Sequence, residues 1–129
     1  MATILVVEDD AIMRLAVQKM LESAGHKVDI ASNGQEAMRA FEAHRQTLVI
    51  TDLFMPGRDG FDTIKAVHAV DAAVPILVIS AWKDGPDYPT MARKLGARAV
   101  LRKPFQPPEL LAAVEACLGD VGAPGIARA

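Results

Sequence analysis

Along the chain, short apolar runs alternate with longer segments in which apolar positions recur every three or four residues. The runs are Thr3–Val7, Lys27–Ala31, Leu48–Leu53, Pro75–Ser80 and Ala99–Leu101. The first, third and fourth are nearly uninterrupted apolar stretches, which predicts strands covered on both faces. The second alternates through Val28 and Ile30, a pattern suited to a sheet edge.

The intervening segments carry helical stripes. Met13, Ala16, Val17, Met20, Leu21 and Ala24 form one apolar face. Gly25 follows, where a left-handed cap is wanted. Asn33 with Glu36 resembles a capping box ahead of Ala37, Ala40 and Phe41. Asp59 is placed to cap a third helix with Ile64 and Val67 turned inward. The last helix opens on Pro107-Pro108 and carries Leu110, Ala113, Val114, Cys117 and Leu118 on one face. The fourth is short or irregular: Asp84-Gly85-Pro86 and Pro89 leave only about Thr90–Leu95 as helix.

Five strands alternating with five helices predict an α/β fold with right-handed crossovers. The best fit is a flavodoxin-like doubly wound, five-stranded parallel sheet of order 2-1-3-4-5. Ligands of such sheets bind beyond the carboxyl ends of the strands, at the switch point between the first and third. One domain is expected over residues 1–118, with a frayed Gly- and Ala-rich tail at 119–129.

Composition narrows the function classes. The 129 residues are 51% hydrophobic and carry a formal charge of −2, so nothing attracts the chain in bulk to nucleic acid or an anionic membrane. No apolar run is long enough to span a bilayer, and MATILVVEDD lacks the features of a signal peptide. The single cysteine, Cys117, excludes an internal disulfide and reads as core packing. A cytoplasmic protein is expected. Most of the basic cluster Arg93, Lys94, Arg98 and Arg102 reads as a solvated face, and His26, His44 and His68 are expected on the surface.

Polar residues gather at the predicted carboxyl ends: Glu8-Asp9-Asp10, Asp52, Ser80 and Lys103. Taken singly, each has an ordinary explanation. Asp10 reads as a helix N-cap, Glu8 and Asp9 as favourable charge at the positive end of that helix, and Asp52 as a turn residue. Ser80 could be a local cap and Lys103 a surface lysine. Their conjunction at one rim is different. Crowded carboxylates either raise a pKa or hold a divalent cation, and hard oxygen donors suit Mg²⁺. With a lysine and a hydroxyl beside an aspartate, the set is suited to a dianionic group and to phosphoryl transfer onto Asp52.

The stretches ILVVEDD, DLFMPGRDG, VISA and LRKPF, in that order and spacing, resemble the receiver domains of two-component response regulators over roughly residues 3 to 118. The resemblance implies that Asp52 is the phosphoacceptor, supplied by a histidine kinase or a histidine phosphotransfer protein. It implies Asp9 as a direct Mg²⁺ ligand, Glu8 as a direct or water-mediated one, and the backbone carbonyl of Phe54 as a third protein ligand beside Asp52. Ser80 matches the hydroxyl residue that moves onto the phosphoryl group, and Lys103 the lysine that pairs with it. Ala81 is small, as the family prefers, and the Lys103–Pro104 bond is expected to be cis. No output domain is expected after residue 118. The implied protein is a stand-alone receiver, monomeric or weakly dimeric, that signals through an unknown downstream protein or a phosphorelay. It would catalyse only its own phosphorylation and dephosphorylation.

Three positions depart from the family. Val100 stands where an aromatic switch residue is usual. The fourth helix is proline-broken and preceded by one extra residue. Phe54 and Trp82, two residues after Asp52 and Ser80, are apolar where the family is often polar; they either pack on the rim or shield the phosphoryl group from water. Two other classes compete with the leading one. A pseudo-receiver would use the same fold for phosphorylation-independent contacts, but it has no need to keep all of Glu8, Asp9, Asp52, Ser80 and Lys103. A hydrolase with Asp52 as nucleophile would want a general acid such as a DxD motif supplies, and Leu53-Phe54 follows instead.

Overall fold

The computed structural model describes residues 2–55, 60–81 and 85–119. Pro56, Gly57, Asp59, Trp82 and residues 120–129 lie outside the described residues. The strands are β1 (Thr3–Val7), β2 (Lys27–Ala31), β3 (Leu48–Asp52), β4 (Ile76–Ser80) and β5 (Ala99–Arg102). The helices are α1 (Ala11–Ser23), α2 (Gly34–Ala43), α3 (Gly60–Val70), α4 (Tyr88–Leu95) and α5 (Pro107–Leu118). All the strands are parallel, in the order β2-β1-β3-β4-β5, as the alternation predicts.

Strand alternation sends successive side chains to opposite faces, and both faces are covered. Leu5, Val7, Val49, Ile76 and Val78 pack with Ala37, Phe41, Ile64, Val67 and Ala92 of α2, α3 and α4. Ile4, Val6, Leu48, Ile50, Leu77 and Ile79 pack with Val17, Leu21, Leu110, Val114 and Cys117 of α1 and α5. This two-sided burial is why β1, β3 and β4 read as continuous apolar runs. At the edge, Ile30 of β2 remains exposed.

Local signals fix the helix ends. The carboxylate Oδ1 of Asp10 accepts from the backbone N–H of Ile12 and Met13 at 2.9 and 3.1 Å, and Gly25 takes the left-handed conformation at φ 91°. Asn33 accepts from the N–H of Glu36 at 2.8 Å, while Glu36 reaches back one residue further than a capping box requires, to the N–H of Ser32 at 2.8 Å. At α5, Glu109 accepts from the N–H of Gln106 at 2.7 Å.

Two expectations are corrected. The fourth helix begins at Tyr88 rather than Thr90: Asp87 accepts from the N–H and hydroxyl of Thr90 at 3.1 and 2.7 Å, so Pro89 lies in the first turn, where its missing N–H costs nothing. His26 is buried rather than on the surface. Its Nδ1 accepts from the N–H of Ala2 at 3.1 Å, tying the chain's start to the head of β2. His44 is exposed and His68 half-buried.

Candidate functional site

The register of the sheet assembles the polar residues. Asp52 ends β3 opposite Ile79, and Ser80 ends β4 opposite Arg102 of β5. The backbone N–H of Lys103 then donates to Ser80 O at 2.9 Å, and that of Glu8 donates to Ala31 O at 3.0 Å. Strand length thus sets where each side chain leaves the sheet, all at the carboxyl edge.

Lys103 Nζ lies 2.6 Å from Asp52 Oδ2 and 2.7 Å from Glu8 Oε1. On the other oxygen of Asp52, Oδ1 accepts from the Ser80 hydroxyl at 3.2 Å and from the backbone N–H of Phe54 at 3.0 Å. Glu8 also accepts from the N–H of Asp10 at 3.2 Å. Relative exposures are 1% for Glu8, 6% for Asp52 and 0% for Ser80, so the charges here are tolerated only because they are paired. Asp9 is exposed at the mouth. Every residue singled out at the strand ends reaches this edge, with Asp10 kept as the cap.

Electrostatics follow from that sharing. Burial holds the Glu8 carboxyl above its ordinary range; the bonds from Lys103 and Asp10 work against this, and the charge of Asp52 adds to it. For Lys103, burial pulls downward, but the hydrogen bonds to Asp52 and Glu8 outweigh it and raise the ammonium above its ordinary value. The two upward shifts are consistent because one ammonium serves two carboxylates.

Carboxylate oxygens of Glu8, Asp9 and Asp52 lie within 4.8 Å of one another. These three carboxylates outnumber the Lys103 ammonium that Glu8 and Asp52 share, which leaves the cluster with residual negative charge. Hard oxygen donors with that residual charge fit a divalent cation of the Mg²⁺ type.

The remaining positions lie on or just after the strands that supply this centre. Phe54 is 44% exposed, and its ring meets Tyr88 edge-on, centroids 5.0 Å apart at 86°. Ala81 is exposed beside Ser80. Val100 is half-buried against the α2–α4 side of the core, and the Lys103–Pro104 bond is cis.

Two contributors escape a reading of the sequence. Gly60, at the start of α3, donates its N–H to Leu53 O at 2.8 Å, and a Cβ there would overlap the backbone of Asp52 and Leu53. Arg14 Nη1 donates to the carbonyl of Glu8 at 2.8 Å. The signal for Arg14 was its place one turn after the cap Asp10, since helical side chains lean toward the N-terminus.

The response regulator receiver domain model matches residues 4–115. The transcriptional regulatory protein PdtaR of Mycobacterium tuberculosis is 39% identical over 113 residues, 87% of this chain and 54% of that protein. The virulence transcriptional regulatory protein PhoP of Salmonella typhimurium is 32% identical over 121 residues, 92% of this chain and 52% of that protein. The chain therefore spans about half the length of these curated relatives. Among solved structures, the Vibrio cholerae chemotaxis protein CheY4 superposes with a TM-score of 0.86 at 32% identity, covering 92% of this chain and 99% of that one.

Proposed function

Because this chain belongs to the response regulator receiver domain family, we propose that it receives a phosphoryl group on Asp52 from the phosphohistidine of a histidine kinase or histidine phosphotransfer protein. The observation that carries this reading is the double engagement of Asp52, with Lys103 on one carboxylate oxygen and Ser80 on the other. A carboxylate flanked in this way has both oxygens oriented at the carboxyl edge of the sheet.

In the transfer, one Asp52 oxygen attacks phosphorus. The phosphorus–nitrogen bond breaks, and its electron pair stays with the donor imidazole. Glu8, Asp9, Asp52 and the Phe54 carbonyl would hold Mg²⁺, whose chemistry is to neutralise charge on the phosphoryl oxygens. Lys103 exchanges part of its contact with Asp52 for a phosphoryl oxygen, and the Ser80 hydroxyl turns to donate to another. Such transfer depends mainly on positioning and charge. The receiver unit spans residues 1–118, acts in the cytoplasm as a monomer or weak dimer, and passes its state on through phosphorylation-dependent protein contacts or a phosphorelay. Among the described residues, no helix is long and apolar enough to cross a membrane.

Intact-mass spectrometry after incubation with acetyl phosphate and Mg²⁺ tests the reading. One phosphoryl adduct is expected, absent from Asp52→Asn and from an EDTA control. If neither acetyl phosphate nor a phosphorylated histidine kinase yields an adduct while Mg²⁺ still binds, the chain is a pseudo-receiver.

A further inference from the structure

Asp9 presents a peculiar problem of placement. It is exposed at the mouth of the site, yet its oxygen must stay within 4.8 Å of those of Glu8 and Asp52 for the cluster to exist. An exposed side chain has little packing to hold it, so its direction is set by the backbone on either side.

Both flanking residues are held by Arg14. Its guanidinium donates from Nη1 to the carbonyl of Glu8 at 2.8 Å, and its backbone N–H donates to the carbonyl of Asp10 at 2.8 Å. One residue on α1 thus spans Asp9 and grips the chain before and after it. Glu8 is also fixed by its N–H on Ala31 O at 3.0 Å and by the Lys103 bond to its carboxylate. The N–H grip on Asp10 comes with the helix; the grip on Glu8 needs this side chain. Arg14 is half-buried, so its guanidinium holds the Glu8 carbonyl partly shielded from competing water.

Resting on the receiver reading above, we propose that Arg14 is a positioning residue for the cation site, locking the Glu8–Asp9 backbone so that Asp9 faces the metal. Its charge acts in the opposite sense, since a guanidinium near a cation site repels the incoming ion. Geometry and charge therefore predict opposite signs on removal of the side chain. If charge alone mattered, truncation would tighten Mg²⁺ binding; if positioning dominates, truncation weakens it.

The test is calorimetric titration of the full chain with Mg²⁺, on wild type, Arg14→Ala and Arg14→Gln, with thermal midpoints measured in EDTA. Arg14→Ala is expected to weaken Mg²⁺ about 10-fold, the lower end of what loss of a residue supporting metal ligands costs. Arg14→Gln keeps an N–H donor without the charge and is expected to recover most of the affinity. In acetyl phosphate assays, the half-saturating Mg²⁺ concentration should rise in Arg14→Ala while the rate at saturating Mg²⁺ stays near wild type. Mg²⁺ affinity equal to or tighter than wild type in a folded Arg14→Ala overturns the proposal. If Arg14→Ala fails to fold, Arg14→Met, which keeps the apolar stem without a donor, takes its place: Mg²⁺ bound about 10-fold more weakly supports the proposal, and affinity equal to or tighter than wild type overturns it. Wild type that binds no Mg²⁺ refutes the cation site itself, and the role of Arg14 with it.

Discussion

Lys103 and Asp52, 51 residues apart in sequence, meet at 2.6 Å, and the same ammonium reaches Glu8 at 2.7 Å. Removing one partner from a buried, shared ion pair leaves the others uncompensated, at a cost of about 3 kcal/mol. Lys103→Met is therefore expected to lose about that much stability without metal at neutral pH, and Mg²⁺ should restore part of it. Urea unfolding with and without Mg²⁺ measures both. Equal midpoints for Lys103→Met and wild type without metal would mean the contact contributes nothing.

The same site predicts a sign for pH. Burial raises the Glu8 carboxyl above its ordinary 4.5. A group whose folded pKa lies above its unfolded value contributes stability that is complete below the unfolded pKa and is lost as pH rises through the folded one. The metal-free wild type should thus lose stability relative to Glu8→Gln as pH climbs above 4.5. Lys103 is also raised, from 10.5, so its contribution is complete below that value and falls away as pH rises through its folded pKa. Thermal scans of both proteins in EDTA across acidic to neutral pH decide the Glu8 case. A stability difference that stays constant, or shifts in favour of the wild type, from acidic to neutral pH would contradict the sign.

Gly60 sits where a side chain has no room, against the backbone of Asp52 and Leu53. Gly60→Ala must push α3 away from the end of β3. An overpacked contact of this kind costs about 2 kcal/mol, and the shift should also slow phosphorylation by acetyl phosphate. Denaturant midpoints and the phosphorylation rate check the two halves separately. An unchanged rate would show that Asp52 tolerates the displacement.

Phe54 follows Asp52 by two residues, its N–H bonded to the Asp52 carboxylate and its ring braced edge-on by Tyr88. If the ring lies across the path of an attacking water, removing it speeds hydrolysis. Phe54→Asn should hasten loss of the phosphoryl group by roughly threefold to tenfold, at most ~1.4 kcal/mol of barrier. Decay of the phosphorylated protein, followed by mass spectrometry, reports it. Decay no faster than wild type removes the shielding role.

Much of this was legible in the sequence because burial and charge conflict there. A charged Asp52 closing an apolar strand, and Ser80 and Lys103 at two other strand ends, stand out against the two-sided core that surrounds them. Strands β1, β3 and β4 were legible because both sheet faces are covered there, which erases polar alternation, while β2 was legible from its edge-strand alternation. Other features carry no such conflict. Arg14 on a partly exposed helix face looks like any solvated arginine, and only the folded loop shows what it grips. Gly60 looks like a turn glycine until α3 is brought against β3. Pro89 was misleading because its effect depends on its distance from the cap, and Asp87 places it in the first turn. His26 was misleading because its buried bond to Ala2 joins residues whose proximity the sheet alone decides.

The most direct test of the central claim is to locate the phosphoryl bond. Protein treated with acetyl phosphate and Mg²⁺ is reduced with borohydride, which converts an acyl phosphate to the corresponding alcohol, and is then mapped by peptide mass spectrometry. Homoserine at position 52, dependent on Mg²⁺, is the predicted result. A reduced residue at Glu8 or Asp9, or an adduct that yields no reduced carboxylate at all, would contradict Asp52 as the acceptor.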